Sequence, residues 1–216
     1  MITLALDAST YVGSVAVFDG ERLVAEETAA MRGRESERLL PAVDAALRSA
    51  GLADARVGRI MCGSGPGSFT SLRIAASIAK GMAAGLEVPL LAVSSLALVV
   101  AGNLDVTNGA GGSYLAVLNA MRDESYVAEF IVDDAVRAVG EMRIVPTRDV
   151  SAMAKAGGLT AVGPEQDGAW SPHARGSLRT SDQHGPVNLA GWEPRYGRLA
   201  EAQARWEATH GRALPR

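Results

Sequence analysis

RIMCGSGPGSFTSLRIAASIAKGMAAGLEVPLLAV, residues 59–93, decides the fold. An apolar run from Arg59 to Cys62 reads as a strand. A glycine-rich loop follows. Then Leu72, Ile74, Ile78 and Met82 mark a helix that Ser68 or Thr70 can cap, and Val88 to Val93 is again a strand. Strand, helix, strand in 35 residues is the signature of an α/β layered domain.

The chain on either side agrees. Ile2–Asp7, Gly13–Phe18 and ERLVAEE (residues 21–27) read as three strands, the last two joined by Asp19-Gly20, a strong hairpin signal. In RESERLLPAVDAALRSAGL (residues 34–52), Leu39, Val43 and Leu47 recur every fourth residue, with Leu40 and Ala46 widening the stripe, so a helix is expected. Gly51 stops it, and Pro41 requires that the regular helix begin nearby. Ser94 or Ser95 caps a further helix to about Gly102. The Asn- and Gly-rich stretch from Asn103 to Ser113 marks a boundary, giving an N-terminal lobe at 1–102 and a smaller C-terminal lobe at 103–216. In the second lobe, strands are expected at Tyr114–Leu118, Tyr126–Val132, Arg143–Val145 and Leu159–Val162, with a helix at Thr147–Ala156. Residues 163–187 read as irregular loop, and a terminal helix runs from about Arg198 to Thr209.

Composition excludes several classes. The 216 residues are 48% apolar and 21% charged, with a formal charge of −3, so the chain is globular and lacks the basic surplus that grips nucleic acid unaided. A single cysteine, Cys62, forbids an internal disulfide, fits a reducing cytoplasm, and ends an apolar run where a buried thiol belongs. MITLALDAST has no basic n-region and reads as no signal peptide. Val88 to Ala101 falls short of the roughly 20 residues a membrane span needs.

Glycine loops that open helices often hold phosphate, but the spacing here fits neither common pattern. A P-loop needs Lys directly after its last glycine, whereas Ser68 follows Gly67 and the nearest Lys is Lys80. The dinucleotide fingerprint lacks its third glycine. Ser68 also lacks the glycine two residues on that a nucleophile elbow requires, since Thr70 stands there. The bland reading is a tight turn passing close to a neighbour. The helix supports packing: Ala75, Ala76, Ser77, Ala79, Gly81, Ala83, Ala84 and Gly85 leave little side chain, so a backbone can approach closely.

Other chemistry is sparse. His173, His184 and His210 are the only histidines, and their spacing matches no helical metal pair, so no metal site or cofactor is expected. Asp7, with Ser9 and Thr10 after the first strand, reads two ways: a candidate vestigial phosphate site, or a turn-capping carboxylate. Arg34/Glu35/Glu37/Arg38 and Glu201/Arg205 read as solvated helix faces, and Trp206, with Leu199 and Ala202, reads as an anchor of the last helix.

Three blocks resemble the bacterial TsaB (YeaZ) family, a subunit of the machinery that makes threonylcarbamoyladenosine in tRNA: LALDASTYVGSVAV, RESERLLPAVDAALRSAGL, and GPGSFTSLRIAASIAKG followed by VPLLAVSSL. NAMRDESYVAEF and EPRYGRL are looser matches. Departures are Glu35 where the family has His, Ser71 and Ala75 where it has Gly, and Asn119-Ala120-Met121 where it has Asp-Ala-Arg. The resemblance implies a two-lobed actin-like ATPase fold, mixed sheets flanked by helices, and a cytoplasmic, non-catalytic paralogue of TsaD. TsaD itself transfers the threonylcarbamoyl group and uses a His-x-x-x-His metal pair, which this chain, without histidine in its first half, does not supply. It further implies docking of the two first-lobe helices on a TsaD-type subunit, or on a second copy in a homodimer. It implies, too, that a TsaE-type ATPase joins and that tRNA is met only through the complex. On that basis Leu39, Leu40, Val43, Leu47, Leu72, Ala75, Ala76, Ala79, Lys80 and Ala83 are the expected partner interface. The alternative is an autonomous ATP-dependent phosphotransferase of the sugar-kinase type, with Asp7, Ser9 and Thr10 around phosphate.

Overall fold

The structure is a computed structural model, described here for residues 1–31, 38–52, 57–104, 111–181, 185–197 and 209–211. It holds two sheets. The first has the order β3-β2-β1-β4-β5, made of β1 (Ile2–Asp7), β2 (Val12–Asp19), β3 (Arg22–Ala30), β4 (Val57–Gly63) and β5 (Leu90–Val93). β1, β2 and β3 pair antiparallel, whereas β4 and β5 run parallel to β1. The second sheet has the order β8-β7-β6-β9, with β6 (Gly112–Asn119), β7 (Glu124–Val132), β8 (Val136–Pro146) and β9 (Thr160–Val162). This is a two-lobed arrangement of mixed sheets flanked by helices.

Strand alternation decides what covers each face. Leu4, Leu6, Val15, Val17, Ile60 and Cys62 point to one side of the first sheet, where α1 (Leu39–Ser49) and α2 (Phe69–Leu86) pack. Ala5, Ala16, Phe18 and Met61 point to the other, where they meet Leu98 of α3 (Ser95–Ala101). The same short helix turns Leu96, Ala97, Val99 and Val100 toward Tyr114, Ala116 and Leu118 of the second sheet. All seven residues of α3 are buried, so it serves both lobes at once. The far face of the second sheet, Leu115, Val117 and Val127, is covered by α4 (Val150–Gly157). Each fully buried Leu in these clusters contributes about 1.5–3 kcal/mol.

Local signals behave as expected at most ends. α1 begins at Leu39, which puts Pro41 in the first turn, where no intrahelical N–H bond is lost. Gly51 follows α1 at φ +69, the left-handed stop. Ser94 Oγ accepts the N–H of Ala97 and caps α3. β8 departs from expectation. It is an 11-residue edge strand, not the short Arg143–Val145 segment, and its mostly exposed side chains hide the alternation that would have announced it.

After β9 the chain returns to the first lobe. Ala174–Arg179 form a 3-10 turn in which the Ala174 N–H donates to Ser14 Oγ and Arg175 bridges the Gly102 carbonyl and Glu26. Val187 N–H donates to the Leu90 carbonyl, Leu189 and Trp192 pack on the first core, and the Arg195 N–H donates to the Ser64 carbonyl. Of the terminal helix expected at 198–209, Thr209 is described and is helical, whereas Leu199, Glu201, Ala202, Arg205 and Trp206 lie outside the described residues, as do Arg34, Glu35, Glu37 and His184. No helix among the described residues is long and apolar enough to cross a membrane.

His173 sits at the joint between α3 and this returning segment, half-buried against Gly102. Its Nδ1 is buried without a hydrogen-bond partner among the described residues. Burial, then the neighbouring Arg175 cation, hold its pKa below the ordinary 6.5, with Glu26 opposing. A depressed histidine pKa means the unfolded chain binds the extra proton first. Stability is therefore expected to be fully present above pH 6.5 and to fall as pH drops below it. Denaturant titrations across that range should show the loss, and His173→Asn should remove this component.

Candidate functional site

The glycine loop after β4 is explained by three separate close approaches. A Cβ on Gly63 would lie 1.9 Å from Asp7 Oδ2, one on Gly65 2.3 Å from the Arg195 carbonyl oxygen, and one on Gly67 2.2 Å from the Ser9 carbonyl oxygen. Gly65 also sits at φ +86. The loop's N–H groups are engaged inside the chain. Ser64 donates to the Val93 carbonyl (2.7 Å), Gly65 to Ser95 Oγ (3.0 Å) and Ser68 to the Ser9 carbonyl (2.8 Å).

Asp7 lies at the centre of this loop and is fully buried. Its Oδ1 accepts from Ser9 N (2.9 Å) and Ser9 Oγ (2.7 Å), and its Oδ2 accepts from Ser95 Oγ (2.6 Å). Burial pushes the Asp7 pKa up, and the bonds from Ser95 and Ser9 pull it back. The Cys62 thiol beneath is raised far above its ordinary value by burial and by the Asp7 charge, so it is an inert core group. Of the candidate phosphate residues, Asp7 and Ser9 are buried and hydrogen-bonded to one another. Thr10, the third, uses its hydroxyl in a turn with Val12 at the rim of a cleft.

The residues expected at the partner interface lie mostly inside the chain's own lobe. Leu39, Val43, Leu72, Ala75, Ala76, Ala79 and Ala83 are buried in the chain's own lobe, most of them against the first sheet. Leu47 is partly buried in the same core, and Lys80 Nζ donates to the Trp192 carbonyl at 3.0 Å. Leu40 alone among the ten is exposed. The reason is that the small side chains let α2 sit close on its own sheet. The face that solvent meets is the complementary one: Arg73, Ser77, Gly81, Ala84 and Gly85 on α2; on α1, Leu40, Asp44 and Arg48 are exposed. A Cβ at Gly81 or Gly85 would touch nothing within 4 Å. The spacing 73, 77, 81, 85 was present in the sequence, but a helix small nearly all round does not announce which side is covered.

A cleft of about 970 Å³ opens between the lobes. Its walls are the β1–β2 turn (Thr10, Tyr11), the start of α2 (Ser68, Phe69, Thr70), the end of β6 with the following turn, Tyr126, Ile144, the loop at 164–166, and Tyr196. Tyr126 donates to the Tyr196 carbonyl at 3.1 Å, and the Phe69 and Tyr196 rings lie 4.5 Å apart, so the returning segment closes one wall. Met121, Arg122 and Asp123 all have positive φ, near +60°. For residues with a Cβ this costs about 1–2 kcal/mol each. Asn119 supports the turn: its Oδ1 accepts the Met121 N–H (2.6 Å) while its Nδ2 donates to Glu165 (2.8 Å). Reasoning from the sequence did not single out Tyr11, Arg122, Tyr126, Ile144 or Tyr196. The one signal was that NAMRDESYVAEF and EPRYGRL, distant in the chain, both carry cleft residues.

Known proteins resemble this chain in sequence and in fold. The family model described as "TsaD: tRNA N6-adenosine threonylcarbamoyltransferase" matches residues 28–171. The Bacillus subtilis protein named tRNA threonylcarbamoyladenosine biosynthesis protein TsaB is 26% identical, over 95% of this chain and 98% of its own length. The Escherichia coli protein of the same name is 35% identical over 62% of this chain and 57% of its own. The solved structure of YeaZ from Pseudomonas aeruginosa superposes with a TM-score of 0.76 at 28% identity, covering 90% of this chain and 99% of that one.

Two glycine substitutions separate the roles of close approach and open surface. Gly63→Ala drives a methyl group into the held Asp7 carboxylate and should cost about 3 kcal/mol in chemical denaturation. Gly81→Ala, in an uncrowded helix position, should gain about 0.5–1 kcal/mol in the same assay.

Proposed function

The chain belongs to the TsaB (YeaZ) family, and we propose that it acts in the formation of threonylcarbamoyladenosine in tRNA as a non-catalytic subunit that docks on a TsaD-type catalytic partner. The observation that carries the reading is the outward face of α2. Arg73, Ser77, Gly81, Ala84 and Gly85 present an 18-residue helix whose solvent side is nearly as small as its buried side. A partner helix can lie there nearer than the usual 8–10 Å or so. The flanking Ile74 and Ile78 supply apolar area beside it. Arg73, held over the Phe69 ring, supplies a charged anchor at one end.

The non-catalytic reading draws on Asp7. The carboxylate that would serve phosphate chemistry at the end of β1 is spent on Ser9 and Ser95, where it fixes the backbone. In this reading the TsaD-type partner performs the transfer, a TsaE-type ATPase joins the assembly, and tRNA, against a chain of net charge −3, is held by the complex. In isolation a second copy takes the partner's place on the same face. The site of work is the cytoplasm, where that tRNA chemistry belongs.

Light scattering of the protein mixed with the TsaD homologue of the same organism tests the docking face. Ser77→Arg should leave the circular dichroism and Tm of the isolated chain unchanged and weaken the mixed complex by about 30-fold, roughly 2 kcal/mol. Ala79→Arg, by contrast, should fail to fold, because Ala79 is wholly buried. A mixed complex that survives both Ser77→Arg and Gly81→Arg would overturn the assignment.

A further inference from the structure

We propose that the outer face of α2 reads its partner through one anchor: an apolar side chain seated in a hollow between Phe69 and Ile78, with a carboxylate one helical turn away bound to Arg73. The inference rests on the docking reading above and adds the partner's chemistry to it.

The outer side of α2 is indented near its start. Phe69, Thr70, Arg73, Ile74, Ser77 and Ile78 line an open hollow of about 470 Å³. Ile74 and Ile78, half-buried with the first core, give it apolar walls, and Ser77 adds little bulk. A side chain that enters such a hollow loses water on several sides at once, which is where interface energy concentrates. Gly81, one turn beyond Ser77, has open space where a Cβ would stand and admits the backbone that carries the entering residue.

The charge beside the hollow is equally defined. α2 carries no carboxylate along its 18 residues, and its two cations are Arg73 and Lys80. Lys80 donates to the Trp192 carbonyl. Arg73 is exposed and makes no ion pair among the described residues. Glu193, whose charge reaches Tyr196, neither lines the hollow nor pairs with Arg73. A partner that covers this face must therefore bring an acceptor, since a guanidinium buried without one is strongly unfavourable, and a carboxylate matches its planar fork.

Arg73 is also held ready. Its Cζ lies 5.2 Å from the centre of the Phe69 ring, that ring lies 4.5 Å from the Tyr196 ring, and Tyr126 donates to the Tyr196 carbonyl. A guanidinium resting on a fixed ring gives up less freedom on binding, which makes Phe69 a positioning residue for Arg73. Arg73 and Ser77 are successive turns of one helix, so the partner's apolar residue and carboxylate are expected three or four residues apart on a helix of its own. A second copy of this chain offers Glu87, at the far end of α2, for the same place.

Isothermal titration calorimetry of the full chain with the TsaD homologue of the same organism tests the anchor. Arg73→Glu should weaken the complex by about 30-fold or more, and Arg73→Gln by about tenfold with a flatter dependence on salt. Ser77→Leu fills the hollow and should weaken binding by about tenfold, whereas a face that is simply apolar would bind it as well or better. Phe69→Leu should weaken the parent by about threefold and have no effect beside Arg73→Gln, as a residue acting through Arg73 requires. Replacing one acidic residue of the partner by Arg should restore binding to Arg73→Glu. Circular dichroism of each variant reports its folding. If Gly81→Arg leaves the complex intact, the docking face is wrong and the anchor falls with it. If Gly81→Arg disrupts the complex while Arg73→Glu and Ser77→Leu both fold and bind as the parent does, docking stands and the anchor is overturned. If Arg73→Glu abolishes only self-association of this chain, and Glu87→Arg restores it, the anchor belongs to a second copy and the assignment is likewise overturned.

Discussion

Everything in the first lobe converges on one buried carboxylate. Asp7 ends β1, and its two oxygens take hydrogen bonds from Ser9, in the next turn, and from Ser95, the first residue of α3. Ser95 in turn accepts from Gly65 in the loop that leads to α2. Four segments that meet at the carboxyl end of the sheet are thereby locked to one another. An unpaired carboxylate at full burial would cost several kcal/mol or take up a proton, whereas three short donors make the position tolerable. The glycine at 63 is the steric counterpart, because only a residue without a Cβ leaves room for that carboxylate.

The same lock positions the rest of the molecule. With Ser95 fixed, α3 is aimed between the sheets, and its seven buried residues serve two cores at once. The returning segment then closes the arrangement from the other end, through Arg175 on the Gly102 carbonyl, Arg195 on the Ser64 carbonyl, and Tyr196 between Phe69 and Tyr126. The cleft is what remains between two lobes held at both ends. Its wall includes a turn whose left-handed residues oppose local preference, and such strain persists only where surrounding structure over-determines it.

Polar groups that an active phosphotransferase would turn outward are here turned inward, and the helix whose small residues suggest a partner spends them on its own sheet. Both facts come from one geometric cause. A small-residue helix approaches its sheet closely, the loop before it must then pass close to the β1 turn, and the loop amides find partners at that turn, at the end of β5 and at the start of α3, at 2.7–3.0 Å. What solvent meets is the opposite side of α2, and the cleft.

The α/β layering, the hairpin at Asp19-Gly20, the extent of α2 and α3, and the Pro41 and Gly51 limits of α1 were legible in the amino-acid order. They rest on short-range rules: side-chain period, caps, and the backbone freedom of Gly and Pro. The TsaB resemblance was legible for the same reason, since its blocks are contiguous. Tertiary structure alone decided which side of α2 is buried, because Ala79 and Ser77 differ too little in size and polarity for periodicity to separate them. It alone decided that Asp7 faces inward, since that depends on Ser95, 88 residues away. And it alone assembled the cleft, whose walls at Tyr11, Phe69, Arg122, Ile144 and Tyr196 share no local pattern and meet only once both sheets are packed on α3.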